Sequence, residues 1–465
     1  MKVSIAGYNI DSSQIALLDP QKATPESISA AYARISRSEK DIASLRQEAL
    51  QEIIRSRKSN QNIIFEMGHS SIAEHAVFNI DLVGISRLLT ETVQRSRLAS
   101  FTEKSQRYVT FHSSFVIPEE LAQYPDLRTE YIQICESLFA EYALSIDALA
   151  KHLAELNPGL SKRDLQTKAK EDARYILPLA TKTQMGITIN ARSLELLLRR
   201  LSTSPCLEAK ELWTELEDQI SAIAPSLIRY TKGDAAAFQM PEDSVPNTSP
   251  SWADELPHAQ LLDASANGDE EILATLWFEQ FGGEPTALQE KLARLDDTAK
   301  KQLWNQLFAD LQPWQKMPRA FEVMQLKYLL QLSECSWSQL KRHRSATLIR
   351  GAYSFDCPLV IPKPIASCNR EHIWQDLLEQ VRRFRAKLDQ PLQAYLRLNA
   401  ESVQVLATLN LRELYHFSRL RSDEHAQWEI RLLSDQMVAL AKPHAPLATA
   451  LLGGKSDFEN LNPDI

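Results

Sequence analysis

The stretch AVFNIDLVGISRLLTETVQRSRLASFTEKSQRYV, residues 76–109, carries the pattern on which the reading of this chain turns. Ala76, Phe78, Ile80 and Leu82 alternate with Val77, Asn79, Asp81 and Val83, which predicts a strand with one apolar face. Ile85, Leu88, Leu89 and Thr92 follow at helical spacing and lead into Arg95-Ser96-Arg97. Three arginines, three serines and Glu103 fall within residues 94–109. A guanidinium offers a planar fork of donors suited to phosphate and to paired carbonyls. Serine and glutamate add a donor and an acceptor that read a polar ring. The window therefore suits an anionic, ring-bearing ligand such as a nucleotide. It equally suits a solvated basic face, which is what most charge clusters are.

Outward from this stretch the chain reads as two halves on one plan. From about Thr231 to Asp269 the periodicity breaks, and Pro241, Pro246, Pro250 and Pro257 stand among Ser, Asn and Asp residues, a linker composition. The boundaries drawn on that basis are a first domain at 1–232, a linker at 233–269 and a second domain at 270–465. In the second half Met324, Leu326 and Tyr328 mark a strand. Leu332-Ser333-Glu334-Cys335-Ser336-Trp337 then leads into Arg342-His343-Arg344, with Ser333 standing where Ser86 stands in the first half.

Further on, Asn190-Ala191-Arg192-Ser193-Leu194 matches Asn410-Leu411-Arg412-Glu413-Leu414, and both open a helix. Leu194, Leu197, Leu198 and Leu201 form an apolar stripe. Leu414, Phe417 and Arg421 take the places of Leu194, Leu197 and Leu201. An arginine ending an apolar stripe is costly unless it meets a partner or ligand. Arg421 either snorkels to solvent, pairs with Asp423 or Glu424, or meets a ligand. The segments Ile28–Ile54, Leu121–Ala154, Ala209–Ile228 and His372–Leu398 read as long helices, and Met1–Tyr8 as a first strand.

Composition narrows the class. The chain has 465 residues, 44% hydrophobic and 24% charged, which fits a globular protein of two or three domains. A formal net charge of −8 argues against a general nucleic-acid binder. Five cysteines without a Cys-x-x-Cys pair point to a reducing compartment, with neither a disulfide framework nor a metal site. Only 12 glycines are present and none makes a phosphate loop, against a Rossmann or P-loop site. No run approaches the ~18 apolar residues needed to span a bilayer, so the expectation is a cytoplasmic protein without membrane contact.

Taken together, these blocks resemble the flavin-dependent thymidylate synthases. Arg95-Ser96-Arg97 through Arg107-Tyr108 fits that family's Arg-His-Arg segment and its following Ser, Glu, Ser and Arg-Tyr, with Ser96 in place of the histidine. Gly68-His69-Ser70-Ser71 through Glu74-His75 resembles an upstream block. Glu171-Asp172-Ala173-Arg174 and Asn190-Ala191-Arg192-Ser193-Leu194 match downstream ones. The run from Asn410 through Arg421 and His425 to Ile430 resembles the C-terminal block. The resemblance implies an α+β fold of two tandem thymidylate-synthase-complementing-type domains, each an antiparallel sheet with long helices. That family is homotetrameric and builds each site from several subunits, so a tandem chain implies a homodimer forming a pseudo-tetramer.

The resemblance also implies roles. Glu103, Ser105, Arg107 and Arg174 bind the nucleotide, and Arg421 is the catalytic cation at the uracil edge. His69, Ser71, Glu74, Arg95, Arg97, Asn190 and Arg192 contact FAD from the first half; Arg342, His343, Arg344, Asn410, Arg412, His416 and His425 do so from the second. Asn190 and Asn410 have a plainer reading as helix caps. The implied reaction methylates dUMP at C5 to dTMP, with methylene-tetrahydrofolate as carbon donor and NADPH reducing the flavin. UMP as substrate, or a non-catalytic flavin- or nucleotide-binding paralogue, are the alternatives. The halves depart from the family in complementary ways. The first has Leu201 where an arginine belongs. The second has Arg350, Ala352 and Ser354 where Glu, Ser and Arg belong, and Ala394 in the place of Arg174.

Overall fold

The computed structural model describes residues 1–11, 24–35, 38–234 and 250–461. The chain is α+β and divides into two compact units, Met1–Thr248 with Pro364–Arg397, and Ser249–Lys363 with Leu398–Ile465. Each holds a four-stranded antiparallel sheet.

In the first unit the order is β1-β2-β4-β3, with β1 at Lys2–Tyr8, β2 at Val77–Ser86, β3 at Ala99–Glu103 and β4 at Lys182–Asn190. The alternation in β2 is the reason for its placement: Ala76, Phe78, Ile80 and Leu82 are at most 1% exposed. The face they form packs against α1 at Ala191–Ser202 and α2 at Leu207–Ile223, where Leu194, Leu197, Leu198 and Leu201 are fully buried. Four side chains of this kind contribute roughly 1.5–3 kcal/mol each by leaving water.

The segment read as one long helix at Ile28–Ile54 is broken into Glu26–Ile35, Ile42–Gln51 and the start of Ile53–Gln61. Asp41 caps the second of these by accepting from Ser44 N. Pro125–Leu156 is a single helix of 32 residues. His372–Leu398 is likewise interrupted, with Glu371–Arg385 ending before Gln390–Gln393.

The second unit repeats the plan as β5-β6-β8-β7, with β5 at His258–Ala264, β6 at Gln325–Ser333, β7 at Thr347–Arg350 and β8 at Ser402–Asn410. Two features differ from the boundaries drawn on composition. Strand β5 lies inside the stretch read as linker, because its half-exposed edge position shows little apolar alternation; Pro241 and Pro246 of that stretch fall outside the described residues. Residues 364–397 join the first unit because the helix Glu371–Arg385 packs on Pro125–Leu156. Arg370 donates from Nε to Glu141 Oε1 at 2.7 Å and again from Nη2, and Trp374 Nε1 donates to the same carboxylate at 3.0 Å. Glu141 is 4% exposed and Trp374 not at all.

Sheet register makes the two repeats comparable residue by residue. Ser86 pairs with Lys182 and Ser333 with Ser402; Glu103 pairs with Met185 and Arg350 with Val405. Strand β2 carries one residue more than β6, taken up at Gly84, whose φ of +76° follows the register shift after Val83.

Glu141→Ala removes the carboxylate that pairs with the half-buried Arg370 and leaves Trp374 Nε1 with Ser145 Oγ alone, at 3.1 Å, so it should lower stability by ~2 kcal/mol. Urea denaturation followed by tryptophan fluorescence tests this; an unchanged midpoint would contradict it.

Candidate functional site

Both Arg-x-Arg motifs are launched by the same device. Ser86 caps the helix α3 at Arg87–Val93, accepting from Leu89 N, while its own N and Oγ donate to Glu208 at 2.7 and 2.6 Å. Ser333 caps α4 at Glu334–Leu340 in the same manner, with N and Oγ donating to Glu429 at 2.7 and 2.5 Å. Burial pushes the Glu208 carboxyl upward, and Tyr395 OH also donates to it at 2.9 Å. Each short helix then releases an exposed arginine, a buried residue and a second exposed arginine: Arg95, Ser96, Arg97 and Arg342, His343, Arg344.

In the first repeat, Glu103 sits on β3 and is held by Arg87 Nη1 at 2.8 Å and Gln94 Nε2 at 3.0 Å, leaving its side chain 3% exposed. Ser105 turns the chain, its hydroxyl accepting from Arg107 N. Arg107 pairs with the Glu171 carboxylate at 2.5 Å, and Arg174, 4% exposed, donates from Nε to Glu171 O at 3.2 Å. Glu171 thus gathers the two arginines read as nucleotide ligands. Tyr142 lies beside Arg174, its phenol pushed up to about 12 by burial. Ser105 and Arg107 share a turn, Glu171 joins Arg107 to Arg174, and Glu103 is locked to Arg87.

The residues read as flavin contacts in this repeat are mostly at the surface. His69, Ser71, Arg95, Arg97 and Arg192 are exposed, and Glu74 pairs with Arg192 at 2.5 Å. Asn190 caps its helix by accepting from Ser193 N. Two arginines missed from the sequence stand nearby. Burial, then the charges of Arg95 and Arg199, disfavour the cationic form of Arg200, and Arg199 Nε and Arg200 Nη1 are buried without a hydrogen-bond partner.

In the second repeat, Arg421 ends the helix Leu411–Arg421. Its Nε donates to His343 Nε2 at 3.2 Å and its Nη2 approaches Gln339 O at 3.4 Å. His343, read as a flavin contact, is instead 5% exposed beneath Arg421. Asp423 holds the following loop: it accepts from His425 N and Nδ1 and from Ser456, and those bonds, working against burial, keep its carboxyl well below the usual range. His425, His416, Arg342 and Arg344 are exposed. Asn410 caps its helix by accepting from Glu413 N, and Arg412 is spent on Met317 O and Glu322.

One salt bridge recurs in both repeats. At the places of Arg87 and Glu103 the second repeat has Glu334 and Arg350, and these too form a salt bridge, with side chains 1% and 13% exposed. The charges have exchanged ends and the bridge has survived. Arg350 further stacks on the Tyr353 ring at 3.9 Å.

No described helix is long and apolar enough to cross a membrane. The Cys206 thiol is pushed up to about 11 by burial, so it is no thiolate nucleophile near neutral pH.

Residues 17–226 and 260–447 match the family described as thymidylate synthase complementing protein. The chain belongs to that family, and carries its domain twice. A flavin-dependent thymidylate synthase of Clostridium tetani is 30% identical over 227 residues, covering 48% of this chain and 88% of that protein. The UPF0159 protein Ta1429 of Thermoplasma acidophilum is 24% identical over 434 residues, covering 82% and 85%. Among solved structures, the flavin dependent thymidylate synthase of Helicobacter pylori complexed with FAD and dUMP covers 49% of this chain and all of its own, at 20% identity and a TM-score of 0.32.

Arg87→Glu or Glu103→Arg alone places like charges together in a buried spot and should cost ~3 kcal/mol. The double exchange, which copies the second repeat, should recover most of that loss in a double-mutant cycle by urea denaturation. A double variant no more stable than the worse single would show that the bridge is not interchangeable.

Proposed function

We propose that the protein methylates a uracil nucleotide at C5 in a flavin-dependent reaction. We propose further that its working site combines the phosphate end of the first repeat with the ring-edge cation of the second. The observation that carries this reading is complementary loss. Ser105, Arg107, Glu171 and Arg174 have Ala352, Ser354, Pro391 and Ala394 at the matching places of the second repeat. Arg421, in turn, has Leu201 at its matching place, fully buried in the first. Neither repeat keeps a full set, and no element is lost from both.

The roles follow from charge and geometry. Arg107 and Arg174 hold the nucleotide phosphate, since bidentate charge-assisted bonds fix orientation as well as affinity. Ser105 donates to a phosphate oxygen. Arg421 stabilises negative charge that develops on the ring as C5 becomes nucleophilic, a contribution of roughly 3 kcal/mol in a desolvated site. FAD, when bound, supplies hydride transfer; Arg95, Arg97, Arg342 and Arg344 are the groups that would hold it, with His69, Ser71, Glu74, Asn190, Arg192, Asn410, Arg412, His416 and His425 around them. Methylene-tetrahydrofolate provides the carbon and NADPH the electrons. The substrate in this reading is dUMP, and the assembly is a homodimer that rebuilds a tetramer of domains.

The test is direct. Pure protein is incubated with methylene-tetrahydrofolate, NADPH, FAD and an equal mixture of dUMP and UMP, and the nucleotides are weighed by mass spectrometry. A methyl gain on dUMP is expected, and Arg421→Ala should abolish it. Arg107→Ala should raise the nucleotide KM about 100-fold. A gain on UMP alone would move the substrate class; bound flavin with no gain on either would favour a non-catalytic binding protein.

A further inference from the structure

The structure assigns a positioning role to His343, acting with Glu413: it holds the plane of Arg421 and makes that hold dependent on pH. This inference rests on the site proposed above.

An arginine Nε always carries its hydrogen, so the His343 Nε2 facing Arg421 Nε at 3.2 Å is an acceptor. The imidazole is then neutral and its proton sits on Nδ1. That nitrogen is buried and faces Glu413 Oε1 at 3.5 Å, an electrostatic contact rather than a formed hydrogen bond. Glu413 lies at the start of the helix that Arg421 ends, so one helix supplies both ends of the relay and the imidazole bridges them. The Phe417 ring packs edge-on against His343 at 4.8 Å and blocks its rotation. A second hold comes from Gln339 O, which receives Arg421 Nη2 at 3.4 Å. The guanidinium is thus held at Nε and at Nη2.

The first repeat supplies an internal control. At the places of His343, Glu413 and Arg421 it has Ser96, Ser193 and Leu201. Ser96 is 3% exposed and its hydroxyl is buried without a hydrogen-bond partner. All three members of the relay stand in the repeat that has the arginine, and all three are replaced in the repeat that lacks it. A histidine kept only for packing would not need to follow the arginine.

Protonation breaks the relay. An imidazolium would turn Nε2 into a donor against a donor and set a cation beside a cation. The groups facing His343 are Arg421, Glu413 and His416 on the one helix; the other walls, Leu340, Ala346, Leu348, Ala407, Leu409 and Met437, carry no charge. Burial, the largest influence, and the charges of Arg421 and His416 hold the imidazole below its usual range, against the pull of Glu413. Neutral His343 therefore persists below pH 6.5, and the hold on Arg421 fails at more acid pH.

The experiment uses the whole protein. Binding of dUMP is measured by calorimetry from pH 5 to pH 8 for the wild type, His343→Gln and His343→Ala, and kcat and KM are taken in parallel. Glutamine accepts from Arg421 through its carbonyl and donates toward Glu413 through its amide, without titrating. His343→Gln should keep near-wild-type kcat at pH 7.5 and lose the acid fall. His343→Ala should lower kcat about tenfold or more with little change in KM, since the phosphate end is untouched. Imidazole nitrogen shifts by NMR, which need no turnover, should report the Nδ1–H tautomer at pH 7. An Nε2–H tautomer, or His343→Ala indistinguishable from wild type while dUMP binds, overturns the positioning role. A wild type that shows the predicted tautomer but binds no uracil nucleotide overturns the site reading on which it rests.

Discussion

Each repeat depends on a buried carboxylate that holds a serine at a strand-to-helix turn. Glu208 and Glu429 accept both the N–H and the hydroxyl of Ser86 and Ser333, and those hydroxyls in turn cap the next helix. A buried ionisable group is costly without such partners, and removing one partner costs more than the pair contributes. The turn is therefore fixed, and with it the direction in which the chain leaves the sheet. That direction decides which residue of each Arg-x-Arg motif is buried and which two meet solvent. The residues carried on the two turns differ, but the scaffold beneath them does not.

Duplication freed each copy to lose what the other kept. The pairs that survived are those whose loss would leave a buried charge alone. The bridge of Arg87 with Glu103 reappears inverted as Glu334 with Arg350, because the cost lies in an unpaired charge and not in its sign. Arg107 and Glu171, by contrast, are both absent from the second repeat, as are His343 and Arg421 from the first. Residues that bind one another are retained or discarded as sets. This is the pattern that the proposed composite site requires.

Much of the fold was legible. Alternation over Ala76–Val83 placed β2, and the Leu194–Leu201 stripe placed the helix that covers it, because both elements have one face in water and one in the core. Strand β5 was hidden because it lies at a sheet edge with little apolar contrast. The break in Ile28–Ile54 escaped because helix stops without glycine or proline leave a faint signal. At the site, the arginines announced themselves by type, but their holders did not. Nothing in the sequence ties Glu171, Glu413 and Gln339 to Arg107, His343 and Arg421; the fold sets them together. The salt bridge of Glu103 to Arg87 is made across a strand and a helix, which spacing alone does not reveal.

The central claim is that two incomplete repeats furnish one working nucleotide site. The most direct measurement is the stoichiometry of dUMP binding by isothermal calorimetry on the intact chain with FAD present. One phosphate corner and one ring-edge arginine per chain predict one nucleotide bound per chain. Two nucleotides per chain, or none, would contradict it.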